Sequence, residues 1–247
     1  NSNMLPLYLQ HNNDNKRIIL RLMLVQDVVV GLIAPHACLG CQRLGSLLCD
    51  DCIEQYFEFV QPRCAGCRKL SENFKVCSSC RTTLPLKNIF IAGNYENVSE
   101  NLISITKFEY ARAGVVPMAN ILAEVLAPYK TERMILCCIP TAPSRIRQRG
   151  FDHAKLLAHQ LGRILKMKEE YFLRRVNNSR QVGSNRADRL RQTKEAYEVT
   201  HEEKVKGKHI VLVDYVMTTG ATLATTARLL KQAGAKSVSA IVFAQKL

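Results

Sequence analysis

Eight cysteines stand in four pairs of one spacing: Cys38/Cys41, Cys49/Cys52, Cys64/Cys67 and Cys77/Cys80. Each pair is C-x-x-C, so a tight turn can present two thiolates to one ion at about 2.3 Å, and two such turns complete the tetrahedron that zinc accepts. Eight thiolates make two zinc sites. Seven residues separate the first two pairs, eleven the second from the third, and nine the last two. Sequential pairing gives two consecutive zinc ribbons and is the preferred arrangement; an interleaved cross-brace satisfies the same spacing. Closed sites with four thiolates keep no open coordination position, which points to structural rather than catalytic metal. Cys137 and Cys138 differ, because they sit in the apolar run Met134 to Ile139 and read as core thiols of a buried strand.

The second stretch able to do chemistry runs Ile210-Val-Leu-Val-Asp-Tyr-Val-Met-Thr-Thr-Gly-Ala-Thr222. An apolar strand is expected to end at Asp214, and a short Thr-rich loop then opens a helix near Thr222. Backbone N–H groups of such a loop, the partial positive charge of the helix start and the hydroxyls of Thr218, Thr219 and Thr222 together make an anion cradle. Gly220 is expected to remove a side chain where the phosphate must approach, and Asp214 at the strand tip to accept from sugar hydroxyls. Ligands of open α/β sheets sit at that carboxyl edge.

This stretch resembles the phosphoribosyl pyrophosphate (PRPP) motif of type I phosphoribosyltransferases, four apolar residues, two acidic residues and a T-T-G-x-T loop. With the four upstream C-x-x-C pairs and the run Arg145-Ile-Arg-Gln-Arg-Gly-Phe151, residues from about Ile33 to Leu247 are similar to the ComF family of competence proteins. The resemblance implies a double zinc ribbon before a phosphoribosyltransferase-like domain, and a PRPP-like ligand held by Asp214, Tyr215, Thr218, Thr219, Gly220, Ala221, Thr222 and Arg145. Mg²⁺ would accompany PRPP, and Asp214 would be the catalytic carboxylate if transfer occurs. Two positions depart from the family pattern: Tyr215 stands where a second acidic residue is usual, and Asp152-His153 stands where Asn-Gln is usual.

The chain has 247 residues, a formal charge of +14 and 47% hydrophobic residues, a globular composition that excludes disordered and fibrous classes and favours polyanionic partners. The excess is local. From Pro143 to Arg191 there are thirteen basic and four acidic residues, whereas residues 93–142 hold four and five. Arg145, Arg147 and Arg149, expected on an extended turn after the second strand, can meet successive phosphates of PRPP or of a nucleic-acid backbone. Arg174, Arg175, Arg180 and Arg189 lie in a polar stretch that reads as a mobile loop; by resemblance, the segment with Gln181 and Arg189 closes over the site in related enzymes. Trp is absent and aromatics are 6%, so contact through phosphates is favoured over an aromatic stacking platform.

The elements that must position these residues follow from hydrophobic periodicity. Strands are expected at Ile89 to Tyr95, Met134 to Ile139, His209 to Asp214 and Ser237 to Ala244, and helices at Val116 to Leu126, His153 to Lys166 and Thr222 to Ala233. Alternating strands and helices predict an α/β fold with a parallel sheet and flanking helices. The expected organisation is an N-terminal extension with an amphipathic helix (1–35, the helix over Ile18 to Ala34), a double zinc ribbon (36–88) and the phosphoribosyltransferase-like domain (89–247). No signal for export or membrane span is recognisable, so a cytoplasmic location is expected. The implied function is that of an accessory protein of natural transformation and DNA uptake, binding single-stranded DNA and a phosphoribosyl ligand, with a ComF-operon DNA helicase as a further partner. A phosphoribosyltransferase of nucleotide salvage and a zinc-ribbon adaptor for a helicase are the alternatives.

Overall fold

The computed structural model describes residues 36–108, 111–176 and 196–246. The helix expected at Ile18 to Ala34, and Arg180, Gln181 and Arg189, lie outside these. In chain order the elements are α1 (Asp50–Tyr56), β1 (Ile89–Asn94), α2 (Asn97–Phe108), α3 (Ala111–Leu126), β2 (Met134–Cys138), α4 (Pro143–Arg149), α5 (His153–Leu165), β3 (Lys168–Glu169), β4 (Leu173–Arg175), β5 (Tyr197–Val199), α6 (Glu202–Val205), β6 (His209–Met217), α7 (Ala221–Gln232) and β7 (Ser237–Gln245).

β1, β2, β6 and β7 are near-continuous apolar runs because strands of a parallel sheet are covered on both faces. They form the sheet β1-β7-β6-β2-β3, parallel throughout. β4 and β5 pair separately and antiparallel, flanking the 177–195 segment. Alternation along each strand divides the core in two. Phe90, Leu136, Val211, Val213 and Phe243 face α3 and α5; Ile91, Cys137, Ile210, Leu212 and Val242 face α7. Among the described residues no helix is long and apolar enough to cross a membrane.

The cysteine-rich segment shares both cores. Cys38, Leu48, Cys52, Ile53 and Phe57 join the first, while Cys64, Val76, Leu84 and Leu86 join the second and Phe74 of the same unit packs on Phe90 in the first, so the two units together cover both faces of the sheet. Bridges Phe59↔Gly93 and Lys75↔Asn88 tie the segment to β1.

The arginine run is a helix, not the extended turn expected from sequence. Pro143 occupies the first turn of α4, where its missing N–H costs nothing, and Gly150 closes the helix at φ 81°, donating to the Ile146 carbonyl at 2.8 Å. α5 follows at once. The Asp152 carboxylate caps it by accepting from the Lys155 N–H, and also accepts from the Thr141 hydroxyl at 2.8 Å. Asp152, one of the two departures from the family pattern, thus fixes the loop between β2 and α4.

Candidate functional site

The cysteines gather in the sequential sets, Cys38, Cys41, Cys49, Cys52 and Cys64, Cys67, Cys77, Cys80, with the sulfurs of each set within 4.8 Å of one another. A tetrahedron with bonds of about 2.3 Å requires S···S separations of about 3.8 Å. The distances Cys38–Cys49 of 3.7 Å, Cys41–Cys49 of 3.6 Å, Cys64–Cys77 of 3.6 Å and Cys67–Cys77 of 3.7 Å fit that figure, and all eight thiols are free of disulfides. Each set can hold one zinc ion, which would cross-link turns too short to build a core of their own.

The two units repeat each other more closely than the cysteine spacing alone reveals. Cys38-Leu-Gly-Cys41 and Cys64-Ala-Gly-Cys67 each place a glycine against the partner pair, and a Cβ on Gly40 or Gly66 would stand 2.6 Å from Cys52 Sγ or 2.8 Å from Cys80 Sγ. In each, the residue after the second cysteine is left-handed, Gln42 at φ 62° and Arg68 at φ 63°. The N–H groups of Cys49 and Cys77 point at the sulfurs of Cys38 and Cys64, both at 3.4 Å. The third-position glycine was the available sequence signal for this repeat.

At the carboxyl edge, β6 continues three residues beyond Asp214, held by the pairs Asp214↔Val242, Val216↔Ala244 and Met217↔Gln245. Consecutive residues of an extended strand point to opposite faces. Tyr215 accordingly turns into the core under α5, 5% exposed, with its hydroxyl donating to the His153 carbonyl at 3.2 Å and its ring edge-on to His153. Burial, then the carboxylates of Asp152 and Asp214, push its phenol well above the usual range. Its side chain is remote from the face on which Asp214 stands, where Asp214 Oδ1 accepts from the Tyr215 N–H at 2.8 Å. Tyr215→Phe is therefore expected to lower stability by about 1 kcal/mol, read by denaturant unfolding, because one buried carbonyl loses its donor.

The loop after β6 is Thr218-Thr219-Gly220, and α7 starts at Ala221, one residue earlier than expected. Thr218 and Thr219 are exposed; Ala221 and Thr222 are half-buried at the helix start. Thr219 Oγ1 accepts from the Ala221 N–H at 3.4 Å. Gly220 is at φ 73°, and a Cβ there would stand 2.8 Å from Leu84 Cδ2 and 2.9 Å from Met217 Cε, so glycine permits both the bend and the close approach of the second cysteine unit.

Arg145 and Arg149 share one side of α4, four residues apart, while Arg147 projects elsewhere. Burial, then repulsion from Arg145, holds the Arg149 guanidinium below its usual pKa, and Arg149 lies against the His153 imidazole. Burial raises the Tyr197 hydroxyl, and the charges that act on it next are Arg175, Asp214 and Arg145. Tyr197 receives a hydrogen bond of 2.8 Å from Arg175 Nη1. Arg174 instead turns out to pair with Glu198 across the hairpin. Tyr197 has no motif in the sequence; the pairing of β4 with β5 brings it to Arg175.

A cleft of about 340 Å³ lies between the second cysteine unit and the carboxyl ends of β1 and β7, lined by Phe59, Arg63, Arg68, Asn94 and Gln245 among others. Gln245 donates to the Ala65 carbonyl at 3.3 Å, and the next residue, Lys246, donates through its backbone to Met217 at 2.9 Å, one residue before the Thr-rich loop. No motif marks these residues in the sequence, since three separate segments supply them.

The model of the phosphoribosyl transferase domain family matches residues 113–247. Competence protein ComFC of Streptococcus pneumoniae is 29% identical over 78% of the chain and 85% of its own length. Competence protein ComFC of Bacillus subtilis is 28% identical over 78% and 81%. DNA utilization protein YhgH of Escherichia coli O6:H1 is 34% identical over 66% and 74%.

Proposed function

The chain belongs to the ComF family, in which paired cysteine ribbons precede a phosphoribosyltransferase domain, and from that premise we propose that it serves natural transformation by holding a phosphoribosyl ligand and single-stranded DNA on one surface. The relatives named as competence proteins support the transformation role. One observation carries the ligand reading: Asp214 near the carboxyl end of β6 is followed by the exposed Thr218 and Thr219 and the start of α7, so a carboxylate for sugar hydroxyls and donors for phosphate belong to one strand-loop-helix turn.

In this reading the helix start at Ala221 and the hydroxyls of Thr218, Thr219 and Thr222 hold the 5-phosphate, Asp214 holds the ribose, and Arg145 and Arg149 face the pyrophosphate, with Mg²⁺ as its counterion. Transfer of the ribose also requires stabilisation of positive charge at its anomeric carbon, to which a carboxylate on the ligand face contributes. Asp214 supplies one, and Tyr215 is turned away from that face. Binding rather than transfer is the role proposed.

The DNA surface is assigned to Arg145, Arg147 and Arg149 on α4, with Arg174 and Arg175 on β4 at its margin. Neutralising phosphates of a single strand releases counterions, about 0.7 per contact. Replacing Arg145, Arg147 and Arg149 by Ala is expected to lower the slope of log affinity for a single-stranded oligonucleotide against log salt by about 2. An unchanged slope in that titration would move the DNA to another surface.

A further inference from the structure

At the amino edge of the sheet, opposite the Thr-rich loop, the strand starts carry charge. Arg133 precedes β2, His209 opens β6, Lys236 precedes β7 and Lys87 lies two residues before β1. The parallel register sets Met134 beside His209, and His209 beside Ser237. Backbone hydrogen bonds fix the approach of each segment: Lys87 N–H to the Val238 carbonyl at 2.7 Å, Met134 N–H to Thr131 at 3.0 Å, and Lys236 N–H to Lys208 at 2.8 Å. Lys87, Glu132, Arg133, His209, Ser237 and Ser239 thereby line a cavity of about 460 Å³, within the range of small-molecule sites.

Two cations, Lys87 and Arg133, and one carboxylate, Glu132, line this cavity, and Lys236 adjoins the lining residue Ser237 in the chain. His209 Nδ1 lies 2.7 Å from the Ser237 hydroxyl, and its protonation is opposed by burial and then by Lys236, Lys87 and Arg133. Glu132 is the acidic residue at the cavity wall, yet neither Lys87 nor Arg133 makes an ion pair among the described residues. Cations gathered in a partly enclosed space repel one another, and an anion placed among them offsets that cost. No Phe, Tyr or Trp is among the lining residues, so the feature recognised is the phosphate rather than a base.

We propose that this amino-edge cavity is a second anion site, taking a small phosphorylated molecule of about pyrophosphate or sugar-phosphate size on Lys87, Arg133 and His209. It is separate from the phosphoribosyl reading of the carboxyl edge. A bound phosphate favours protonated His209, so binding is accompanied by proton uptake.

The test uses the zinc-loaded chain carrying Asp214→Ala and Thr219→Ala, in which the carboxyl-edge turn is disabled. Inorganic pyrophosphate is expected to bind one per chain by calorimetry, and to shift the His209 ring protons and raise their titration midpoint by NMR. Adding Lys87→Gln and Arg133→Gln, both at exposed positions, is expected to weaken binding at least about tenfold without changing the melting temperature. Unaltered affinity in the fourfold variant, or unmoved His209 signals, would overturn the assignment. Displacement of pyrophosphate by a single-stranded oligonucleotide would also overturn it, in favour of a nucleic-acid path. Failure of PRPP to bind at the opposite edge leaves these outcomes unaffected.

Discussion

Removing metal from the chain is expected to abolish its cooperative thermal transition, and metal analysis of the intact protein is expected to give two zinc ions per chain. The size of the effect follows from where the cysteine units sit. Leu48, Ile53 and Phe57 complete the core under α3, and Val76, Leu84 and Leu86 complete the core under α7, so unfolding either unit strips one face of the sheet. A segment as short as 36–88 buries too little to hold itself together. Structural zinc with four ligands contributes roughly 10–16 kcal/mol of binding free energy, against roughly 5–15 kcal/mol for the net stability of a whole domain. Circular dichroism during a melt, with and without chelator, reads the result directly. A metal-free chain that melts as the intact one does would show that the thiolates are dispensable to the core.

The second large effect concerns the ligand. PRPP at a concentration of 100 times its dissociation constant should stabilise the chain by about 2.7 kcal/mol, or roughly 5–10 °C in melting temperature for a chain of this size. Asp214→Ala combined with Thr219→Ala is expected to erase that gain. Thr219 is exposed, and the Asp214 carboxylate accepts from the Tyr215 N–H at 2.8 Å; the unliganded double variant is compared by its own melting temperature, against which the shift with PRPP is read. Tyr215→Phe is the matched control: it alters the neighbouring residue on the other face and should retain the full shift with PRPP. Loss of protection in both variants would mean that the site responds to packing rather than to its donors.

Much of the sheet was legible because strands covered on both faces must be continuously apolar; β1, β2, β6 and β7 each fall within three residues of the expected bounds. β3, with two residues, and the β4–β5 hairpin, with three in each strand, are too short and too polar to show periodicity. α4 was missed for a different reason. It spans seven residues with three arginines and no apolar periodicity, and only Pro143 and Gly150, the marks of a helix start and stop, betray it. Sequence placed the Thr-rich loop correctly between strand and helix, yet could not show that β6 runs on past Asp214 and turns Tyr215 inward, because that depends on pairing with β7. The zinc sets could be drawn from spacing, and only the distances between sulfurs separate the sequential order from the cross-brace. The amino-edge cavity has no motif at all, since Lys87, Arg133, His209 and Lys236 meet only when the strands align.

A structure of the chain with PRPP tests the central claim most directly. The account predicts the 5-phosphate oxygens within hydrogen-bond distance of the backbone and hydroxyls of residues 218–222, with the ribose hydroxyls on Asp214. PRPP found elsewhere, or a turn that stays bare at saturating ligand, would contradict it.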